Sequence, residues 1–188
     1  MSNLSQDSKL NSDLIQITRI NTDTGTVVLN KLKDYERHLQ KVGKTELQNS
    51  IILRMISTEI KSDYKLSKSN YGAPILISKE FSEISISHSN GYFAILLSRG
   101  IPVGIDVEIS REIAQSGTSY FLNEDEQKPW PNSNLLAIWG AKESYFKKVK
   151  GGVQDLRQEA STLSISSSEV KLLCNSEEHV FNLVQTNN

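Results

Sequence analysis

Apolar and polar positions alternate early in the chain, where "LIQITRI" (Leu14 to Ile20) predicts a strand. Before it, residues 1–12 are polar and read as a disordered arm. "NTDTG" then reads as a turn. Leu32, Tyr35 and Leu39 fall at helical spacing and predict a helix over 29–41. Val42-Gly43-Lys44 interrupts it. A longer helix follows from about Thr45 to Lys61, with Leu47, Ile51, Ile52, Met55, Ile56 and Ile60 on a broad apolar face. "KSNYGAPIL" reads as a loop. "EISISHS" (Glu83 to Ser89) alternates, Asn90-Gly91 is a strong hairpin turn, and "YFAILLS" is the return strand. After a second turn at Arg99-Gly100, "IPVGIDVEI" (Ile101 to Ile109) reads as a third strand. The pattern thus predicts a three-stranded antiparallel meander over 83–109.

Residues 110–132 are loop-rich. Over 133–150 Leu135, Leu136, Trp139 and Phe146 share one side of a helix, which Gly151-Gly152 ends. Short strands are expected in the last 35 or so residues. A helix followed by strands occurs in both halves, suggesting an N-terminal subdomain over 13–99 and a C-terminal one over 100–188.

Two acids interrupt the apolar third strand. Asp106 and Glu108 are two residues apart, so they share a face. In a meander the first and third strands run the same way, so His88 and Asp106 should lie roughly 10 Å apart across the sheet, since strands are spaced by about 4.8 Å. Paired carboxylates repel unless a cation sits between them. Mg²⁺ suits them, because it binds through one or two carboxylates plus substrate phosphates. The plainer alternative is a solvent-facing acid pair. Likewise Glu143 and Lys147, four apart on the second helix, could be an ordinary helix-face ion pair. Together the elements offer more: three carboxylates for Mg²⁺ (Asp106, Glu108, Glu143), two lysines for phosphate (Lys142, Lys147), and Ser87, His88 and Ser89 for a further phosphate.

Charge and composition narrow the classes. A net charge of −1 gives no overall field to gather nucleic acid or an anionic membrane. Locally, residues 31–70 hold nine Lys/Arg against five Asp/Glu, a solvated helical region or a surface for an acidic partner. One cysteine, Cys174, permits no internal disulfide, and no run approaches the roughly 20 apolar residues of a membrane span. A cytoplasmic protein is the simplest expectation.

"SISHS", "PVGIDVE" and "WGAKESYFK" occur in this order over about residues 71–152. In this the chain resembles the 4'-phosphopantetheinyl transferase superfamily, most closely its longer, surfactin-synthetase-activating type. The resemblance implies an α+β fold of two related α/β subdomains with antiparallel sheets and a pseudo-two-fold. It implies metal ligation by Asp106, Glu108 and Glu143. It implies coenzyme A phosphate contacts from Ser87, His88, Ser89, Lys142 and Lys147, with catalysis resting on Glu143, Lys147 and Asp106. Two positions depart from the family pattern. Ala73 stands where the longer type has the lysine of Gly-Lys-Pro, and Ile51 where many relatives have an arginine, with Arg54 and Lys44 nearby.

The activity so implied is transfer of 4'-phosphopantetheine from coenzyme A to a serine of an apo acyl carrier protein or peptidyl carrier domain. It depends on Mg²⁺ or Mn²⁺ and releases 3',5'-ADP. Glu143 or a metal-held water is the candidate base. The partners implied are the carrier and coenzyme A, with no nucleic acid or membrane, and the enzyme would act as a monomer. Lys41 and Lys44 could help dock the acidic carrier. The alternatives are a weak relative that binds without turnover, or an unrelated Mg²⁺-dependent phosphohydrolase, which the SHS segment does not fit.

Overall fold

The structure is a computed structural model that describes residues 15–109, 116–126 and 134–183. The expected arm over 1–12 lies outside the described residues. β1 (Ile15–Thr22) and β2 (Gly25–Leu32) form a hairpin turned at Asp23-Thr24. The helix expected over 29–41 is therefore corrected at its start. Val28, Asn30 and Leu32 alternate inward along β2, and Leu32 closes that strand instead of opening a helical stripe. α1 (Tyr35–Val42) begins only after Asp34, which turns the chain with a positive φ of 53°. α2 (Lys44–Glu59) follows as expected and buries Leu47, Ile51, Ile52, Met55 and Ile56.

The segment read as a loop is partly a second hairpin. β3 (Lys65–Lys68) pairs with β4 (Pro74–Ile77), four residues each, too short for alternation to stand out. β5 (Glu83–Ser89) and β6 (Tyr92–Ser98) pair around Asn90-Gly91, whose φ values are 42° and 84°. The main sheet has the order β1-β2-β6-β5 and is antiparallel throughout.

The meander is the main correction. Residues 101–109 form no strand. The edge of β6 that they were expected to fill is taken by β2, which pairs Asn30 with Phe93. The segment instead crosses one face of the sheet. There Val103 packs with Val27 and Leu96, and half-buried Leu29 and Ile105 close the patch.

Beyond it come α3 (Thr118–Phe121), α4 (Leu135–Lys148) and α5 (Leu156–Glu159). A three-stranded antiparallel sheet of β7 (Ala160–Ile165), β8 (Glu169–Cys174) and β9 (Glu177–Asn182) ends the described chain. α4 matches the expected helix, but its buried side is Leu135, Ile138, Ala141, Lys142 and Tyr145. Phe146 is exposed, and Trp139 packs its ring 5.0 Å from that of Phe121. Gly151, at φ 81°, closes the helix by donating its N–H to the Phe146 carbonyl, in the manner of a Schellman cap.

The core lies in separate clusters. One joins α2 to the inner face of the main sheet through Leu47, Ile51, Met55, Phe93 and Ile95. Another joins α4 to the last sheet through Ala141, Tyr145, Ala160 and Leu172. The fold is mixed helix and antiparallel sheet, as expected. Among the described residues no helix is long and apolar enough to cross a membrane.

Candidate active site

The site begins with the pleat of β5. Ile84 and Ile86 face the α2 side, Ile84 within that cluster and Ile86 against it, and the alternation puts His88 on that face too. Ser85, Ser87 and Ser89 face the other way, toward residues 103–109. The segment runs parallel to β5 and is held by serine side chains in place of a backbone ladder. Ser85 Oγ accepts the Ile105 N–H (3.0 Å) and Ser87 Oγ the Val107 N–H (3.2 Å). Ser87 and Ser89 then donate to Asp106 Oδ1 and Glu108 Oε1, both at 2.9 Å. Three serines at a spacing of two thus fix the register of the two acids.

Helix α4 closes over this segment. Gly104 lies against its backbone, so close that a Cβ there would meet the Ser144 carbonyl oxygen at 1.8 Å. Gly140 faces the Asp106 carboxylate. Lys147 reaches down to Asp106 Oδ1 (2.6 Å) and donates to Ser87 Oγ (3.0 Å). Its partner is thus Asp106, across the packing interface, and not its helix neighbour Glu143. Glu143, one turn earlier, has its carboxyl pushed above the usual range. Burial is the main cause, the negative charge of Asp106 adds to it, and Lys147 partly offsets both. Three of the expected catalytic groups, Asp106, Glu143 and Lys147, are therefore brought into one electrostatic unit.

Two expectations are corrected. Lys142 is fully buried and makes no phosphate-facing tip. Its ammonium donates to the Phe121 carbonyl and to Glu126 Oε2, both at 2.6 Å. The Asp106–Glu108–Glu143 metal triad is also not assembled. Among the described residues no three His, Cys, Asp or Glu side chains converge as a metal-holding group. Glu108 lies one pleat beyond Asp106, about 7 Å along an extended chain, and accepts from Ser89 and from the Ile109 N–H (2.7 Å). The donor set fits a divalent cation through two carboxylates, Asp106 and Glu143, whose mutual repulsion a cation would relieve.

His88 sits apart from its flanking serines. Its Nδ1 is 3.4 Å from Gln48 Nε2 on α2, and its ring is 5.9 Å from that of Phe93. Desolvation holds its pKa below the usual imidazole range, and the positive charges of Lys44 and Lys147 lower it further. Lys31 lies over the Tyr92 ring at 5.0 Å, beside the same turn. On the His88 face of that strand end, Lys44 supplies positive charge suited to an anion. Ile51, at the family's arginine position, is fully buried in the first cluster and contributes nothing to it.

A cleft of about 590 Å³ opens beside Glu143, walled by Ser119, Tyr120, Phe146, Gln154 and Arg157. Arg157 is fixed by a two-point pair with Asp155 (2.9 and 2.7 Å), which holds the Asp155 carboxyl down at about 2. Sequence reasoning missed this wall. A polar residue 14 positions after Glu143 carries no local mark of lying beside it.

Comparison with known proteins bears on the second half of the chain. Residues 102–185 match the model of the 4'-phosphopantetheinyl transferase superfamily, a span that holds both "GIDVE" and "WGAKESYFK". The chain is also similar to the 4'-phosphopantetheinyl transferase Sfp of Bacillus subtilis (strain 168), with 30% identity over 126 residues, 62% of this chain. The matched stretch is 56% of that relative's length, so the chain spans little more than half of it. The family resemblance drawn from the motifs is thereby borne out.

Proposed function

We propose that this chain, similar to the 4'-phosphopantetheinyl transferase superfamily over residues 102–185, moves 4'-phosphopantetheine from coenzyme A to a serine of an apo carrier protein. The observation that carries the reading is the Asp106–Lys147 pair set between Ser87 and a raised-pKa Glu143. That unit joins a cation for phosphate to carboxylates for a metal and a proton.

In the reaction the carrier's serine oxygen bonds to the pantetheine-bearing phosphorus. The phosphoanhydride bond to the other phosphate breaks, and 3',5'-ADP leaves. Glu143 takes the serine proton, as the carboxylate beside the Asp106–Lys147 pair. Lys147 offsets the charge that grows on the leaving phosphate, a preorganised contribution. Ser87 keeps Lys147 and Asp106 in register. His88, with Lys44 and Lys147 nearby, takes a further phosphate of the nucleotide. A divalent cation, Mg²⁺ or Mn²⁺, would be held by Asp106 and Glu143 and would neutralise the bridging phosphates. A carboxylate has two oxygens, so Glu143 can serve both the cation and the proton.

The two core clusters support subdomains over 13–99 and 100–188. On this reading the enzyme acts as a monomer in the cytoplasm, as the resemblance implies. A weaker relative that binds without turnover is the second reading. The apolar residues Ala73 and Ile51, where related chains carry bases, favour it.

The test is the intact mass of several apo carriers after incubation with the protein, coenzyme A and Mg²⁺, beside Asp106→Ala. A phosphopantetheine-sized gain that requires Asp106 supports transfer. Bound coenzyme A with no gain on any carrier supports the silent relative.

A further inference from the structure

Lys142 stands one residue before Glu143, yet its side chain points into the protein. Its ammonium is fully buried, bonded to Glu126 Oε2 and the Phe121 carbonyl. Glu126 is itself only 4% exposed and is fully engaged. Its Oε2 also accepts the Asn123 N–H (3.0 Å), and its Oε1 accepts the Thr162 N–H (2.6 Å). Asn123 returns the contact by accepting the Glu126 N–H (2.9 Å), and it donates to the Arg157 carbonyl and to Ser161 Oγ, both at 3.2 Å. One buried ion pair therefore ties three separate pieces together: the turn after α3, helix α4, and the join of α5 to β7. Ser119 and Tyr120 of α3, which leads into that turn, and Arg157 of α5 wall the cleft that Glu143 lines.

A buried pair of this kind is a poor source of net stability, because desolvation offsets the attraction. Losing one partner is another matter, since the other charge is left stranded. The pair's distinctive property is directional. A lysine and a carboxylate that must meet permit only one seating of the 118–126 turn on α4.

We propose that Lys142 and Glu126 are positioning residues that seat the cleft wall against Glu143, and that Lys142 makes no contact with coenzyme A. This rests on the transferase reading and reassigns one lysine of its helix motif.

The test compares Lys142→Met, Lys142→Met with Glu126→Gln, and Lys147→Met. The double variant leaves a neutral amide that still accepts the Thr162 N–H. Coenzyme A affinity is measured by calorimetry, and transfer rates on the best carrier give kcat and KM. For Lys142→Met the expected result is a kcat at least tenfold lower, with the coenzyme A Kd and KM within threefold of wild type. Lys147→Met should weaken coenzyme A at least tenfold. The double variant should recover kcat at least threefold over Lys142→Met. A tenfold loss of coenzyme A affinity in Lys142→Met, with an unchanged circular dichroism spectrum, would overturn the proposal. So would a double variant no better than the single one. If Lys142→Met alone does not fold, the double variant carries the coenzyme A comparison. If the wild-type protein modifies no carrier, the transfer reading falls and the pair is judged separately by thermal unfolding. Strongly non-additive losses in Tm for Lys142→Met, Glu126→Gln and their combination support it, and additive losses overturn it.

Discussion

Gly104 touches Ser144 backbone to backbone, and that contact sets how deeply the acid segment sits beneath helix α4. A methyl at 104 would overlap the Ser144 carbonyl oxygen, and neither backbone can yield without moving the other. Gly104→Ala should cost about 3 kcal/mol, at the upper end of overpacking effects. Gly140, on the same helix, has only the Asp106 carboxylate oxygen near, at 3.8 Å. Gly140→Ala should therefore gain up to about 1 kcal/mol from helix propensity. Urea unfolding of the two variants checks this, and equal midpoints would refute the close-approach account.

Ser87 has three partners: Asp106, Val107 N–H and Lys147. The Ser85 hydroxyl accepts only the Ile105 N–H among the described contacts. Ser87→Ala should cost about 2 kcal/mol and Ser85→Ala about 1 kcal/mol, in line with charged against neutral hydrogen bonds. Differential scanning calorimetry of both variants is the measurement. Transfer activity should fall markedly only for Ser87→Ala.

Glu143 titrates upward on folding, mainly because it is desolvated. A raised folded pKa means the native state binds the proton more tightly than the unfolded chain does. Stability is then full below the unfolded value of about 4.5 and declines as pH rises through the higher folded value. Glu143→Gln removes that decline. In EDTA its Tm should exceed wild type at pH 7, and the gap should shrink toward pH 4. A gap independent of pH would rule out the desolvated carboxylate.

His88 is held low by desolvation and by Lys44 and Lys147. A bound phosphate would favour the protonated ring. Coenzyme A affinity should therefore rise as pH falls from 8 to 6, and His88→Gln should flatten that rise. Parallel titrations by calorimetry in wild type and variant decide it.

Lys41 and Lys44 looked alike in sequence as carrier-docking bases, yet Lys44 acts on His88 electrostatically. Lys44→Glu should weaken coenzyme A at least as much as carrier. Lys41→Glu should weaken the carrier alone. Equal profiles for the two reversals, read by surface plasmon resonance with each ligand, would remove this division.

Much of the fold was legible where the signal was local. Asn90-Gly91 between two alternating runs located β5 and β6, and the apolar face of residues 47–60 located α2. The misreadings have non-local causes. Leu32, Tyr35 and Leu39 fall at helical spacing by coincidence, because the pairing of β2 with β6 lies over sixty residues away. Alternation in "GIDVE" reads the same whether an extended segment joins a ladder or lies on a sheet face. Occupancy of β6 by β2 decided that. Asp106, Glu143 and Lys147 stood out because their types and order were informative, and the structure brings them together. Lys142 was misplaced because spacing along a helix does not say what Glu126, sixteen residues earlier, offers the buried side.

The serine-held segment has a consequence for hydrogen exchange. The amides of Ile105 and Val107 are protected by hydroxyls, whereas those of β5 and β6 are protected by backbone carbonyls. Their protection is thus written in side chains and can be erased one residue at a time, with the sheet left intact. The acids of the site ride on a stretch whose hydrogen bonds to the sheet come from three serines. Substitutions of those serines should therefore raise exchange at residues 105 and 107 while the sheet amides stay protected, so the acid-bearing edge can be tuned without touching the architecture beneath it.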